Sequence, residues 1–149
     1  MICLKEKIYQ AALKLFYNLT LNELSAMNKK YADSSITYNS LLYVDLIRAH
    51  HGKCTASSLA ELLNVSKPGV ITKVNELIKQ GYIYKKQSET DKRIYYLYAN
   101  EDAVPAFEYY KKMDMQVAEK MAQRYSSQEI EKFCSMLETM SEFYLDKGI

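Results

Sequence analysis

The stretch CTASSLAELLNVSKPGVITKVNELIKQGYI, Cys54 to Ile83, constrains the fold more than any other part of the chain. Leu59, Leu62 and Leu63 follow the three-and-four spacing of a helix face and predict a short helix from about Ser57 to Leu63. Asn64-Val65-Ser66 reads as a tight turn, because asparagine tolerates a positive φ, and Val65 is expected to point inward. Ser66 can cap a second helix, with Pro68 in its first turn, where a missing N–H leaves nothing unsatisfied. Val70, Val74, Leu77 and Ile78 form the inward stripe of that helix, and Gly81 stops it. Two helices joined by a three-residue turn, the second with one apolar face, make a helix-turn-helix pattern.

Two strand-like runs follow at once. YIYKK and RIYYLY are rich in β-branched and aromatic residues, and the polar loop QSETDK joins them. Helix, turn, helix and hairpin in that order describe a winged helix. The rest of the chain reads as helix, in keeping with only 4 Gly and 2 Pro. Ile8, Ala12, Leu15, Phe16, Leu19, Leu24 and Met27 mark an amphipathic helix from Cys3 to about Tyr31, interrupted by ADSSIT. Thr37 can cap the helix YNSLLYVDLIRAH, and Gly52 offers a left-handed C-cap. From Asp102 onward Tyr110, Met113, Val117 and Met121 mark one helix. Ile130, Phe133, Leu137, Met140 and Tyr144 mark another, capped by Ser126 or Ser127 with Glu129 completing a box. The expected fold is therefore mainly α with a small antiparallel β wing, one domain over residues 1–149.

Several function classes are excluded by what the chain lacks. Apolar residues make up 48% and charged residues 26%, and no apolar run reaches the roughly 18 residues of a membrane span. Lys5, Glu6 and Lys7 interrupt the region a signal peptide keeps apolar, so a cytoplasmic location is expected. Cys3, Cys54 and Cys134 are widely spaced and form no CxxC, which indicates free thiols. His50, His51 and Cys54 lack a carboxylate at ligand spacing, and adjacent histidines point apart, so no metal is expected. No nucleophile elbow, Walker loop, zincin motif or dinucleotide fingerprint occurs, so an enzyme is not expected.

The charge is polarised. Residues 1–54 and 55–98 each carry 7 Lys/Arg against 4 Asp/Glu, whereas residues 99–149 carry 6 against 10. Such asymmetry signals an anionic partner for the first two-thirds. On the Lys67–Gln80 helix, Pro68, Gly69, Thr72, Asn75, Glu76 and Lys79 face away from the apolar stripe, with Lys73 on the flank. Small residues, hydroxyls and cations are what a helix entering the major groove needs, although taken alone this helix fits better the solvated face of an ordinary surface helix. The hairpin adds Lys85, Lys86, Lys92 and Arg93, and Arg suits a narrow minor groove because its planar guanidinium sheds water readily. Asp91 is wrong for phosphate contact; it fits a partner that restrains a neighbouring cation and orders the loop.

TASSLAELLNVSKPGVITKVNELIKQGYI followed by DKRIYYLY resembles the MarR family of bacterial transcription regulators, with NVSKPGV and the Asp-x-Arg of the wing as the most specific parts. The resemblance extends over ITYNSLLYVDLI and the flanking helices, nearly the whole chain. It implies a homodimer that binds a pseudo-palindromic operator in double-stranded DNA, residues 37–98 forming the winged helix-turn-helix and residues 1–35 and 100–149 the dimerisation helices. It places DNA contacts on Ser66, Lys67, Pro68, Gly69, Thr72 and Lys73, and a minor-groove contact on Arg93 supported by Asp91. Two positions depart from the family pattern: Gly69 stands where Thr or Ser is usual, and Lys73 where Arg is common. Many members are repressors released by small phenolic ligands or by thiol oxidation. Lys14, Leu15 and Phe16 occupy the region where the thiol-sensing branch has its cysteine. The methionines and tyrosines of the last helices are expected to pack an intersubunit core, with a ligand cavity as the alternative. A winged-helix module that binds protein rather than DNA is the competing reading.

Overall fold

The computed structural model describes residues 3–29 and 36–145. Six helices and a hairpin follow in the order α1 (Leu4–Lys29), α2 (Tyr38–Ala49), α3 (Ala56–Leu63), α4 (Lys67–Lys79), β1 (Ile83–Gln87), β2 (Tyr95–Ala99), a 3-10 turn (Glu101–Ala103), α5 (Pro105–Arg124) and α6 (Ser127–Leu145). The chain divides into two compact units, Met1–Phe107 and Glu108–Ile149. The expected end of the first helix at Tyr31 and most of ADSSIT lie outside the described residues.

The core of the first unit gathers Leu41, Val44 and Ile47 of α2, Leu59 and Ala60 of α3, Val70, Val74 and Leu77 of α4, and Ile83 and Leu97 of the strands. Here α2 packs on β2, α3 on α4, and α4 on β1. The starts of α2, α3 and α4 are capped by hydroxyl side chains. Thr37 accepts from the Ser40 N–H, Thr55 and Ser58 form a reciprocal capping box, and Ser66 accepts from the Gly69 N–H. Asn64 takes the left-handed conformation at φ 53°. Val65 does not point inward as its sequence position suggests: it is 48% exposed. Its amide donates to the Ala60 carbonyl at 3.1 Å, closing the end of α3 after the left-handed Asn64.

The strands pair antiparallel with Ile83 opposite Ala99 and Gln87 opposite Tyr95. β2 starts two residues later than RIYYLY suggests. Ile94 is used to close the loop instead, donating to the Asp91 carbonyl at 3.0 Å and accepting from the Ser88 N–H at 2.9 Å. Cys54 forms an isolated antiparallel bridge to Leu97, whose N–H donates to the Cys54 carbonyl at 2.8 Å, so a third strand position flanks the hairpin.

In the second unit, Ser126 caps α6 and Glu129 closes the box, accepting from the Ser126 N–H at 2.9 Å. These bonds hold the Glu129 carboxyl below its ordinary range. The expected stripes lie on α5 and α6, yet Val117, Phe133, Leu137 and Tyr144 are exposed. In the first unit α1 likewise exposes Ile8, Leu15, Phe16 and Leu19 and buries only Ala26 among its described residues.

The turn after α2 uses two left-handed residues, His51 at φ 47° and Gly52 at φ 76°. A Cβ on Gly52 would stand 2.4 Å from Cε1 of Tyr98. That ring cannot slide freely, since it stacks on Tyr84 at 5.3 Å and lies beneath the Lys86 ammonium at 5.1 Å. Gly81, at φ 79°, has open space around it. Gly52→Ala is therefore expected to cost about 1–3 kcal/mol, and more than Gly81→Ala, in urea unfolding read by circular dichroism. Equal costs would mean that Tyr98 yields without penalty.

Candidate nucleic-acid interface

The candidate interface grows from the start of α4. Ser66, Lys67, Pro68, Gly69 and Thr72 are all exposed, as is Lys79 at the far end of the helix. A Cβ on Gly69 would lie 3.1 Å from Ser66 Oγ, closer than the cap comfortably allows, so glycine here keeps the cap tight. The Thr72 hydroxyl donates to the Pro68 carbonyl at 3.0 Å, which fixes its rotamer and leaves its oxygen lone pairs toward solvent.

Lys73 is placed differently from the other cations expected at the interface. Its ammonium donates to Ser40 Oγ of α2 at 2.8 Å and to both Glu76 carboxylate oxygens at 3.3 Å, leaving the side chain 18% exposed. The other cations stay outside: Lys67, Lys79, Lys85, Lys86, Lys92 and Arg93 are exposed.

Gly81 carries the chain from α4 into the hairpin. Asn100 clamps the hairpin base, donating from Nδ2 to the Gly81 carbonyl at 3.0 Å and from its backbone N–H to the Tyr82 carbonyl at 2.8 Å. Along the strands, Lys85 lies over Tyr95 at 5.1 Å and Lys86 over Tyr84 at 5.6 Å, so the rings hold the lysine stems in extended positions. At the tip, buried Ser88 accepts from the Thr90 and Asp91 N–H groups, both at 3.3 Å. Gln87 donates to the Lys92 carbonyl at 2.7 Å.

Asp91 then grips Arg93 three times. Its Oδ1 accepts from the Arg93 backbone N–H at 3.0 Å and from Nε at 3.1 Å, and its Oδ2 accepts from a terminal guanidinium nitrogen at 2.9 Å. The Arg93 side chain is nevertheless 90% exposed. The restraint expected of Asp91 is thus present in atomic detail, and the guanidinium is aimed without being consumed. Sequence reasoning misses Ser88, Gln87 and Asn100; the Ser-x-Thr-Asp spacing is the local signal that identifies Ser88 as a turn former. Among the described residues, no group of three or more His, Cys, Asp or Glu could hold a metal ion, and no helix is long and apolar enough to cross a membrane.

The bonds from Arg93 hold the Asp91 carboxyl below its ordinary range. With the folded-state value depressed, the pair's contribution to loop order is fully present above the usual carboxylate range. It is lost as pH falls through Asp91's lowered value. In a carboxyl NMR titration Asp91 should titrate below a free aspartate, and Arg93→Ala should move it back up. An unchanged Asp91 in that variant would contradict the triple contact.

A MarR family profile matches residues 34–94. No curated protein sequence matches. Among solved structures, Streptococcus pneumoniae FabT in complex with DNA is 22% identical, with a TM-score of 0.67 over 95% of this chain and 98% of that one. A MarR protein from Peptoclostridium difficile is 21% identical, with a TM-score of 0.60 over 99% and 94%. A point mutant of MepR from a multidrug-resistant S. aureus clinical isolate is 17% identical, with a TM-score of 0.67 over 89% and 96%. The matched segment spans α2, the helix-turn-helix and the wing tip through Ile94, so over that segment the chain is similar to the MarR family, and it shares the fold of these solved structures.

Proposed function

We propose that the chain is a sequence-specific DNA-binding regulator of transcription that works as a homodimer on a pseudo-palindromic operator. In this reading α4 is the recognition helix in the major groove and the wing reaches the adjacent minor groove. One observation carries it: Arg93, triply bonded by Asp91 yet 90% exposed, is a preorganised cation at the tip of a clamped hairpin. A cation already fixed in place loses little side-chain entropy on meeting DNA. FabT, similar in fold, was solved bound to DNA, which supports the same partner here.

The exposed apolar faces support the homodimer. α1 presents Leu4, Ile8, Leu15, Phe16 and Leu19, and α6 presents Phe133, Met136, Phe143 and Tyr144. Contiguous apolar surface of this kind is rare on a protein that remains a monomer. The reading extends to repression relieved by a small aromatic or phenolic effector and to action in the cytoplasm, both taken from the family's habit. A thermal-shift screen against phenolic acids checks the first of these.

Sedimentation should give twice the chain mass at micromolar concentration; a monomer there would defeat the operator geometry. Binding to a duplex selected from a random library should fall steeply with salt, because Lys67, Lys79, Lys85, Lys86, Lys92 and Arg93 from each of two chains displace counterions. Weak, salt-insensitive association would instead favour a protein-binding module. Arg93→Ala should weaken binding about tenfold to a hundredfold, the range of a good groove contact.

A further inference from the structure

We propose that Lys73 does not contact DNA but acts as a positioning residue, latching α4 to the first turn of α2 through Ser40 and so setting how α4 meets the bases. The inference rests on the DNA-binding reading and assigns a part in it to Lys73 and Ser40. An ammonium has three N–H donors. The Lys73 ammonium donates to Ser40 Oγ at 2.8 Å and lies 3.3 Å from both Glu76 oxygens, so its charge is already paired within the protein and its side chain is only 18% exposed.

The anchor on α2 is stiff. Ser40 is 1% exposed, and its Oγ also accepts from the Thr37 hydroxyl at 2.9 Å. Its N–H donates to Oγ1 of Thr37, the N-cap of α2, at 3.2 Å, so the oxygen that Lys73 grips belongs to the residue this cap holds in place. Backbone packing joins α2 to β2 and α4 to α3 and β1, while Lys73–Ser40 bridges α2 and α4 directly. A small rotation of α4 moves Thr72 and Gly69 relative to any base edge, and base readout tolerates only small displacements. Glu76, one turn along α4, neutralises the ammonium and holds it over Ser40.

The two roles for Lys73 predict opposite patterns. A phosphate contact adds affinity for any duplex and about 0.9 to the salt slope per phosphate. A latch adds affinity only for the right sequence. The test uses the full-length dimer, a duplex selected from a random library by the unmodified protein, and a scrambled duplex of equal length, each measured across a salt series. Lys73→Ala should lose roughly tenfold on the selected duplex, the scale of one charge-assisted hydrogen bond. Its loss on the scrambled duplex should be clearly smaller, because that loss reflects only the change of charge beside Glu76. Ser40→Ala, a buried change that cannot touch DNA, should reproduce this loss. The double variant should be no worse than either single one, and Lys73→Arg should recover part of the discrimination. Equal losses on both duplexes with a reduced slope, or a silent Ser40→Ala, would overturn the latch while leaving DNA binding standing. Failure of the unmodified protein to select any duplex would remove the DNA-binding reading and the latch together.

Discussion

The seating of α4 governs which of its residues the helix-turn-helix presents to solvent. Val70 and Leu77 are fully buried and Val74 nearly so, which commits one face of the helix to the core. Burying each of these side chains is worth roughly 1.5–3 kcal/mol, more than the net ~1 kcal/mol of a typical hydrogen bond. The apolar stripe therefore fixes which residues face out, and polar contacts can only trim the angle. Ser66, Gly69 and Thr72 are outside because Val70, Val74 and Leu77 are inside.

The wing is held together differently. Its strands are five residues each, and their only deeply buried side chains are Ile83 and Leu97. A two-stranded ribbon is marginal alone. Here it is held at the base by Asn100, along one edge by the Cys54 pairing, and at the tip by Ser88 and Asp91. Stacked Tyr84 and Tyr98 fill one face, with Lys86 above them. The arm is rigid at several separate points, so a charge at its end is delivered to a defined place.

What can be read from sequence is what local physics decides. Thr37, Ser66 and the Ser126–Glu129 box cap their helices because a hydroxyl three residues before a free N–H has one obvious use. Asn64 adopts the left-handed turn for a similarly local reason, and Asp91 finds Arg93 two residues away. The illegible parts depend on partners distant in the chain. Lys73 has a four-carbon stem that can point almost anywhere, and its partner Ser40 is 33 residues earlier. The Cys54–Leu97 bridge likewise spans the whole helix-turn-helix, and nothing in either residue advertises it. Hydrophobicity alone misplaces Val65, which sits half-exposed in the turn between α3 and α4.

That bridge gives the molecule an internal clock. The Cys54 thiol is sealed beneath the hairpin, and burial pushes its pKa up, whereas Cys3 and Cys134 stand in open solvent. In the single chain the two surface thiols are open to a disulfide reagent, whereas Cys54 is not. The reagent reaches the third only when the first unit opens locally around Cys54, because thiolate chemistry needs access as well as ionisation. A thiol held at the edge of the hairpin thus reports local opening of the first unit, on a timescale set by the stability of the packing around it.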